Sequence, residues 1–443
     1  TIQNNNYGIY LEGRTYVWKE DNAYEVYLDS EDNNTIMYNL IVNNGHGLVL
    51  YSSSNNIIMH NIFVANGLFV SYSYRNIVEN NTVNGNMLVY LENQRDLIIN
   101  VSVGQVILVN CDNITIGNQS ISNVDVGVEL WETNRTRIIN STIRSNEHGV
   151  YLRNSYDNMI LNSTIEYNEY GILLYNAYGT IIQNNMVGNN DIGILCFFSS
   201  SNVIMNNTIQ NQNEDGITIQ LFSVNNTIAF NVIRNNRRYG ILLASDHNTI
   251  VNNTLINDGL ALLFPCNNTI ENNMVNGKPL IYLENKENVL INVSAGQIIL
   301  VNCRKVVIKG QNISNTDAAI ELLNTNEAKI ANNTIRGNYY GVYLSQSYHS
   351  VIANNTIQNN DCGIELYHSS NITIKNNTFV GGGITVDDSY GNNVENNTVN
   401  GKPLVYLEGE ENRMIDVDAG QIVLVRCKNI TIEGQNISYT DTG

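Results

Sequence analysis

An all-β fold, a single-stranded parallel β-helix of about twenty coils, follows from three repeating features of the sequence. The first is a ruler of glycines in a recurring Gly-Ile/Val-x-Leu. Gly127, Gly149, Gly171, Gly193, Gly216 and Gly240 stand 22, 22, 22, 23 and 24 residues apart, and Gly341 and Gly363 are again 22 apart. The second is Asn-Asn-Thr-Ile or a close variant, which falls between these glycines at 206–209, 225–228, 332–335 and 354–357. The third is alternation. In Gly149-Val150-Tyr151-Leu152, Val150 and Leu152 share one face and Tyr151 takes the other.

Each coil of 22–24 residues therefore holds two or three short strands separated by turns. A helix does not fit, because the apolar runs are short, rich in β-branched residues and bounded by Asn and Gly. Asn accounts for 81 of the 443 residues. At a tight corner it accepts left-handed backbone angles, and its amide can bond the matching amide one coil away. Ile, Val, Leu and Tyr are spread evenly among the Asn, so the composition is that of a packed solenoid and not of a disordered chain.

A longer repeat lies over the short one. Asn80-Asn81-Thr82-Val83-Asn84-Gly85, followed by Val89-Tyr90-Leu91-Glu92 and Gly104-Gln105, recurs from Asn272 and from Asn396. The offsets are 192 and 124, and their difference of 68 is three coils of about 22.7 residues. Modules differing by whole coils predict one continuous solenoid over 1–443 that runs through them without a break. The chain opens inside a repeat at Thr1-Ile2-Gln3-Asn4-Asn5 and stops inside another at 441–443, so caps, targeting segments or anchors are expected beyond both ends.

The formal charge is −18, from 23 basic and 41 acidic side chains, and no basic cluster is present. Nucleic-acid binding, which depends on neutralising phosphates, is not expected. No apolar run reaches the roughly 18 residues of a membrane span.

These repeats resemble the right-handed parallel β-helix proteins that include pectate lyases, polygalacturonases and the copper-site maturation protein NosD. The module at 400–438, Asn-Gly-Lys-Pro-Leu-Val-Tyr-Leu-Glu with Ala-Gly-Gln-Ile-Val-Leu-Val-x-Cys and Gly-Gln-Asn-Ile-Ser, is most similar to NosD-like β-helix domains of archaeal secreted and cell-surface proteins. The resemblance implies right-handed coiling and an exterior location, and its NosD name implies copper. It does not imply one activity, because the scaffold carries many.

The active-site patterns of such proteins are incomplete here. Gly45-His46-Gly47, Asn315-Thr316-Asp317 and Asp387-Asp388 match pieces of the polygalacturonase pattern, but their order is wrong and Arg-Ile-Lys is missing. Asp317 also shares its repeat position with Asp125 and Asp441, which a turn role explains. Asp191, Asp361, Glu129, Glu321 and Glu365 recur one at a time, as exposed turn and strand residues do, which leaves room only for loosely held Ca²⁺. His46, His60, His148, His247, His349 and His368 fall in different coils and are not expected to pair, so no copper site is read. Cys111, Cys303 and Cys427 occupy equivalent places coils apart, beyond disulfide reach, and Cys196, Cys266 and Cys362 are likewise expected as free thiols.

Asn-x-Ser/Thr occurs about 21 times where composition alone gives about ten. If Ile357 faces inward, Asn355 does too, and the acceptor Asn354 faces out. Asn100, Asn113, Asn206, Asn332, Asn354, Asn371 and Asn436 are the glycosylation candidates. On the outward position of Gly-Ile-x-Leu, Leu173, Leu195 and Leu242 form an apolar run that suggests a contact with another subunit or with a covering loop. The sequence thus predicts a noncatalytic extracellular structural protein without cofactor, a component of a surface layer, filament or spacer. It would be N-glycosylated and would associate with itself or other surface proteins. The alternative is a polysaccharide-binding or polysaccharide-cleaving β-helix with exposed Tyr as a stacking surface.

Overall fold

The computed structural model describes residues 1–12, 14–20, 23–29, 32–263 and 267–440, and these contain strands, turns and bends with no helix. Cys266 and Asp441 lie outside the described residues. The chain is a parallel β-solenoid, as its periodicity requires, with about 16 turns where the repeat length suggests about twenty. It divides into two compact units, residues 1–231 with 245–249, and residues 232–244 with 250–443.

In unit 1 an ordinary coil has three strands, for example Val126–Trp131, Arg137–Ile139 and Thr142–Arg144. The same strands recur one coil on at His148–Arg153, Met159–Leu161 and Thr164–Glu166. Pairing is parallel and in register by the repeat, with Ile138 opposite Ile160, Ile143 opposite Ile165 and Val150 opposite Ile172. These six residues are fully buried, so stacking coils builds three columns of β-branched side chains, one for each strand of the coil.

Asn builds the corners in two different ways. The first Asn of each pair is left-handed and faces out, with φ of 57° at Asn184 and 55° at Asn206. The second is buried and laddered: the Asn185 amide donates to Asn207 Oδ1 at 3.1 Å, and the Asn207 amide to Asn231 Oδ1 at 3.1 Å. A parallel ladder climbs Asn146, Asn168, Asn190 and Gln212. Each rung satisfies polar atoms that would otherwise be buried without a partner, worth about 1 kcal/mol apiece.

Where the sequence reading places only whole parallel coils, strand pairing shows that each long repeat begins with a reversal. Thr82 and Val83 pair antiparallel with Met87 and Asn86. The turn between them is Asn84-Gly85, with φ of 49° and 82°. Two consecutive left-handed residues define the tight hairpin turn that Asn-Gly favours. The Asn84 amide fixes the turn by donating to the carbonyls of Ser122 and Asn123, at 2.8 and 3.0 Å. From Asn86 onward the strands run in the opposite direction while the sheet goes on adding them in the same order, through Asn86–Glu92 and Val103–Val109 to Val126–Trp131. The reversal lays strands His46–Tyr51 and Leu68–Ser71 against the outer face of the coils that follow.

Unit 2 repeats this construction. Met274 and Val275 pair antiparallel with Pro279 and Lys278 around Asn276-Gly277, and Thr398 and Val399 with Pro403 and Lys402 around Asn400-Gly401. Its core runs through Ile298, Leu300, Ile308, Ile320, Ile330 and Val342 to Phe379, with the parallel register of the first unit.

Candidate functional site

Reversal leaves an edge strand whose N–H groups have no following strand to bond. In unit 1 the side chains of Gln105 and Glu129 take that strand's place along Leu68–Ser71, and Asp125 bonds the strand beside it, His46–Tyr51. The Gln105 amide both accepts from Leu68 N–H at 3.0 Å and donates to Leu68 C=O at 2.6 Å, acting as a detached peptide group. Asp125 accepts from Gly47 N–H at 2.9 Å, and Glu129 from Val70 N–H at 3.2 Å. All three side chains are buried. Burial raises the Asp125 carboxyl to about 6, opposed by the Gly47 N–H, and pushes Glu129 well above the carboxylate range.

Unit 2 carries the same set. Gln297 exchanges both bonds with Leu260, at 2.9 and 2.7 Å, Asp317 accepts from Gly240 N–H at 2.9 Å, and Glu321 from Leu262 N–H at 3.3 Å. A further Gln421 exchanges both bonds with Ile384, each at 2.9 Å. The reading of Glu129 and Glu321 as exposed strand residues is therefore corrected, because the reversal covers the outer face on which they stand, while Asp125 and Asp317 keep the turn positions read for them and are buried there. Asp191, Asp361 and Glu365 do keep access to solvent.

The reversal also brings histidines together that the sequence separates by about a hundred residues. Both imidazoles face Glu147, His46 Nδ1 at 3.3 Å and His148 Nδ1 at 3.8 Å. The expectation that no His would pair fails here for the same topological reason. Burial and the neighbouring His46 lower His148 to about 4, so it is neutral at pH 7. At the other end of the strand His148–Arg153 the Arg153 guanidinium lies over Tyr72, Trp131 and Tyr175 at 4.5, 4.8 and 4.7 Å and donates to the Tyr72 hydroxyl at 2.7 Å. Phe69 stacks on Tyr151 at 6.1 Å.

Unit 2 substitutes tyrosines in the corresponding region. Tyr239, Tyr339, Tyr340 and Tyr343 form a chain of ring contacts at 6.1, 4.6 and 5.2 Å, and Ser345 stands at the register of Arg153. Asp258, fully buried, accepts from the backbone and side-chain amides of Asn236. Burial and the charge of Asp317 raise Asp258 to about 9, and burial raises Glu321 to about 8. Next to this cluster is a cavity of about 480 Å³ whose wall includes Arg237, Arg238, Asn257, Asn315, Tyr339 and Asp361.

All seven candidate glycosylation residues, Asn100, Asn113, Asn206, Asn332, Asn354, Asn371 and Asn436, are exposed. Asn355 and Ile357 are buried beneath Asn354. Of the three leucines, Leu173 is half-buried, while Leu195 and Leu242 are only 7% and 6% exposed within a single chain. Leu242 packs with Tyr239 and Ala261.

Copper would need a convergent set of Cys, Met or His donors. Among the described residues no three of His, Cys, Asp and Glu are placed to hold an ion. The thiols are engaged singly: Cys111 Sγ donates to Leu91 and Val109 carbonyls, Cys303 to Leu283 and Val301, and Cys427 to Leu407 and Val425. Cys196 is fully buried and its thiol is pushed up to about 12. These residues do not fit a copper centre.

The family profile described as "Periplasmic copper-binding protein (NosD)" matches residues 1–67, 96–259 and 285–443. Its two gaps contain the Asn84-Gly85 and Asn276-Gly277 reversals. No curated protein matches the chain. Among solved structures, the periplasmic alginate epimerase AlgG is 15% identical over 81% of this chain and 78% of its own, with a TM-score of 0.32. An alginate lyase from Paenibacillus sp. is 12% identical over 65% and 92%, with a TM-score of 0.29. The catalytic domain of a GH87 alpha-1,3-glucanase is 13% identical over 71% and 61%, with a TM-score of 0.34. Similarity at this level says nothing of chemistry. No helix among the described residues is long and apolar enough to cross a membrane.

Proposed function

The chain belongs to the NosD family, and from that premise we propose that it is an exported, noncatalytic structural solenoid, glycosylated on its corners and associating through its outer face. One observation carries the reading: the buried side chains that most resemble catalytic groups are engaged by the chain's own backbone. Glu129 and Glu321 are 1% and 2% exposed and each accepts from a main-chain N–H, as do Asp125 and Asp317. A general acid or base must come within hydrogen-bond reach of a substrate proton. These carboxyls instead hold main-chain N–H groups of the chain's own strands and corners.

Outward-facing acceptors on left-handed corners, such as Asn206, Asn332 and Asn354, suit glycans because a sugar there displaces no packed atom. Self-association would use Leu173 with its neighbours Tyr170 and Ile192, which keep partial exposure. Electron microscopy of native cells or secreted material, with intact-mass measurement of the purified protein, tests the proposal. Ordered assemblies and a mass above that of the polypeptide are expected. Isolated molecules with the bare polypeptide mass, or turnover of any acidic or neutral polysaccharide in a depolymerisation assay, would overturn it.

A further inference from the structure

The cavity in unit 2 is a concave polar surface that the closure of the edge strand does not require. Its volume of about 480 Å³ lies within the range of small-molecule sites, about 300–1,000 Å³. Two cations stand on its wall in a chain where acidic side chains outnumber basic ones 41 to 23. Arg237-Arg238 is the one Arg-Arg pair in the sequence. It sits in a corner one residue longer than its counterpart, Asn236-Arg237-Arg238-Tyr239-Gly240 against Asn44-Gly45-His46-Gly47. Both arginines are exposed, and Arg237 makes no ion pair among the described residues. Arg238 is steadied over the Tyr239 ring at 4.9 Å.

The other groups narrow the ligand. Asn257 and Asn315 present amides, each able to donate and accept, as hydroxyl groups require. Tyr339 offers an aromatic face, and Thr316, also on the wall, is 4% exposed with a hydroxyl that finds no partner in the protein. Asp317 and Asp361 also contribute to the wall, so the formal charges of the two arginines and two aspartates cancel. A dianion such as phosphate or sulfate would be repelled by those carboxylates more than a monoanion and would offer no donor to the amide oxygens. A single carboxylate attached to a ring of hydroxyls would use both: its carboxylate on the guanidinium fork, its hydroxyls on the amides, its C–H face on Tyr339. We propose that this cavity binds a uronic acid residue of an acidic saccharide. The site adds a ligand to the molecule and does not depend on the structural reading above.

Calorimetric titration of the whole chain with a trimer of galacturonic acid tests it, with maltotriose and inorganic sulfate as comparison probes. Saturable binding of the trimer is expected, and Arg237→Ala or Arg238→Ala weakens it about tenfold or more. Arg237→Lys keeps the charge but not the fork and falls between. Because both side chains are exposed, the variants should melt as the parent does by circular dichroism. A variant that does not is replaced by Arg237→Gln. No saturable binding by the parent chain, unchanged binding by the double alanine variant, equal binding of maltotriose, or tighter binding of sulfate would each overturn the assignment.

Discussion

The edge-strand closures of units 1 and 2 use the same Gln, Asp and Glu, yet only in the first does a cation oppose the upward shift of the buried Glu. Val70 and Glu129 are 59 residues apart, as are Leu262 and Glu321, and both glutamines reach back 37 residues. The charge of Arg153 opposes the upward shift of the buried Glu129, and the same unit holds the His46–Glu147–His148 group. Around Glu321 stand tyrosines, with the charge of Asp317 adding to the shift. The hydrogen-bond pattern is therefore the requirement and the charge balance is free to vary. A neutral, protonated carboxyl still accepts a main-chain N–H.

The comparison is broken most directly at the glutamines. Gln105→Ala and Gln297→Ala each strand one backbone donor and one acceptor in a buried place, at about 1–3 kcal/mol per group. Both should lose about 2–4 kcal/mol in urea unfolding. A loss confined to one unit would show that the two closures are not equivalent. Arg153→Ser, which imports the residue of unit 2, should cost about 1–3 kcal/mol through the aromatic faces and the Tyr72 bond and should raise Glu129 further. Hydrogen exchange at Val70 and Leu262 separates the local effects.

The titration behaviour sharpens the contrast. Asp258 has an unfolded value of 3.8 and a folded value of about 9, so between them the folded state keeps a proton that the unfolded chain has lost. Its contribution is fully present below about pH 4 and declines as pH rises to 9. Glu321, from 4.5 to about 8, acts in the same direction. Asp258→Asn should stabilise unit 2 by about 1–2 kcal/mol at pH 8 and flatten the alkaline limb. An unchanged profile would mean that Asp258 is already ionised. In unit 1, His148 falls from 6.5 to about 4, so the unfolded chain binds a proton that the folded state refuses, and stability is lost as pH falls through that window. His148→Tyr, matching Tyr340, should remove that acid limb, with less than about 1 kcal/mol of change at pH 7. Amide protection at Gly47 followed from pH 7 to 4 reports it.

The parallel coils were legible because a 22-residue period of glycines and Asn-Asn-Thr-Ile leaves room for little but strands and corners. The two roles of Asn were legible as well: alternation alone separates Asn354 from Asn355. What was missed is the reversal, although its signal was present. Asn84-Gly85, Asn276-Gly277 and Asn400-Gly401 between apolar residues form the strongest short hairpin pattern, but within an Asn-rich repeat each looked like one more corner. From that omission came the others. Glu129 and Glu321 occupy outward positions, and only the returning strands bury them. His46 and Glu147 are a hundred residues apart in sequence, so no spacing rule could join them. The Arg237-Arg238 corner was visible as composition, but its cavity depends on residues from 315 to 361.

The detached amide of Gln105 has a consequence for how such chains change in length. The side chains that close an edge strand lie at short, fixed distances from the hairpin beside it. The coils between one closure and the next, from residue 130 to residue 239, make none of these closing bonds. Whole coils of about 22 residues can therefore be gained or lost there while every bond at the turn survives, as the spacings of 192 and 124 already illustrate. Span becomes an inheritable variable, adjusted in steps of one coil, and the turns act as fixed points between which a lineage can lengthen or shorten its protein.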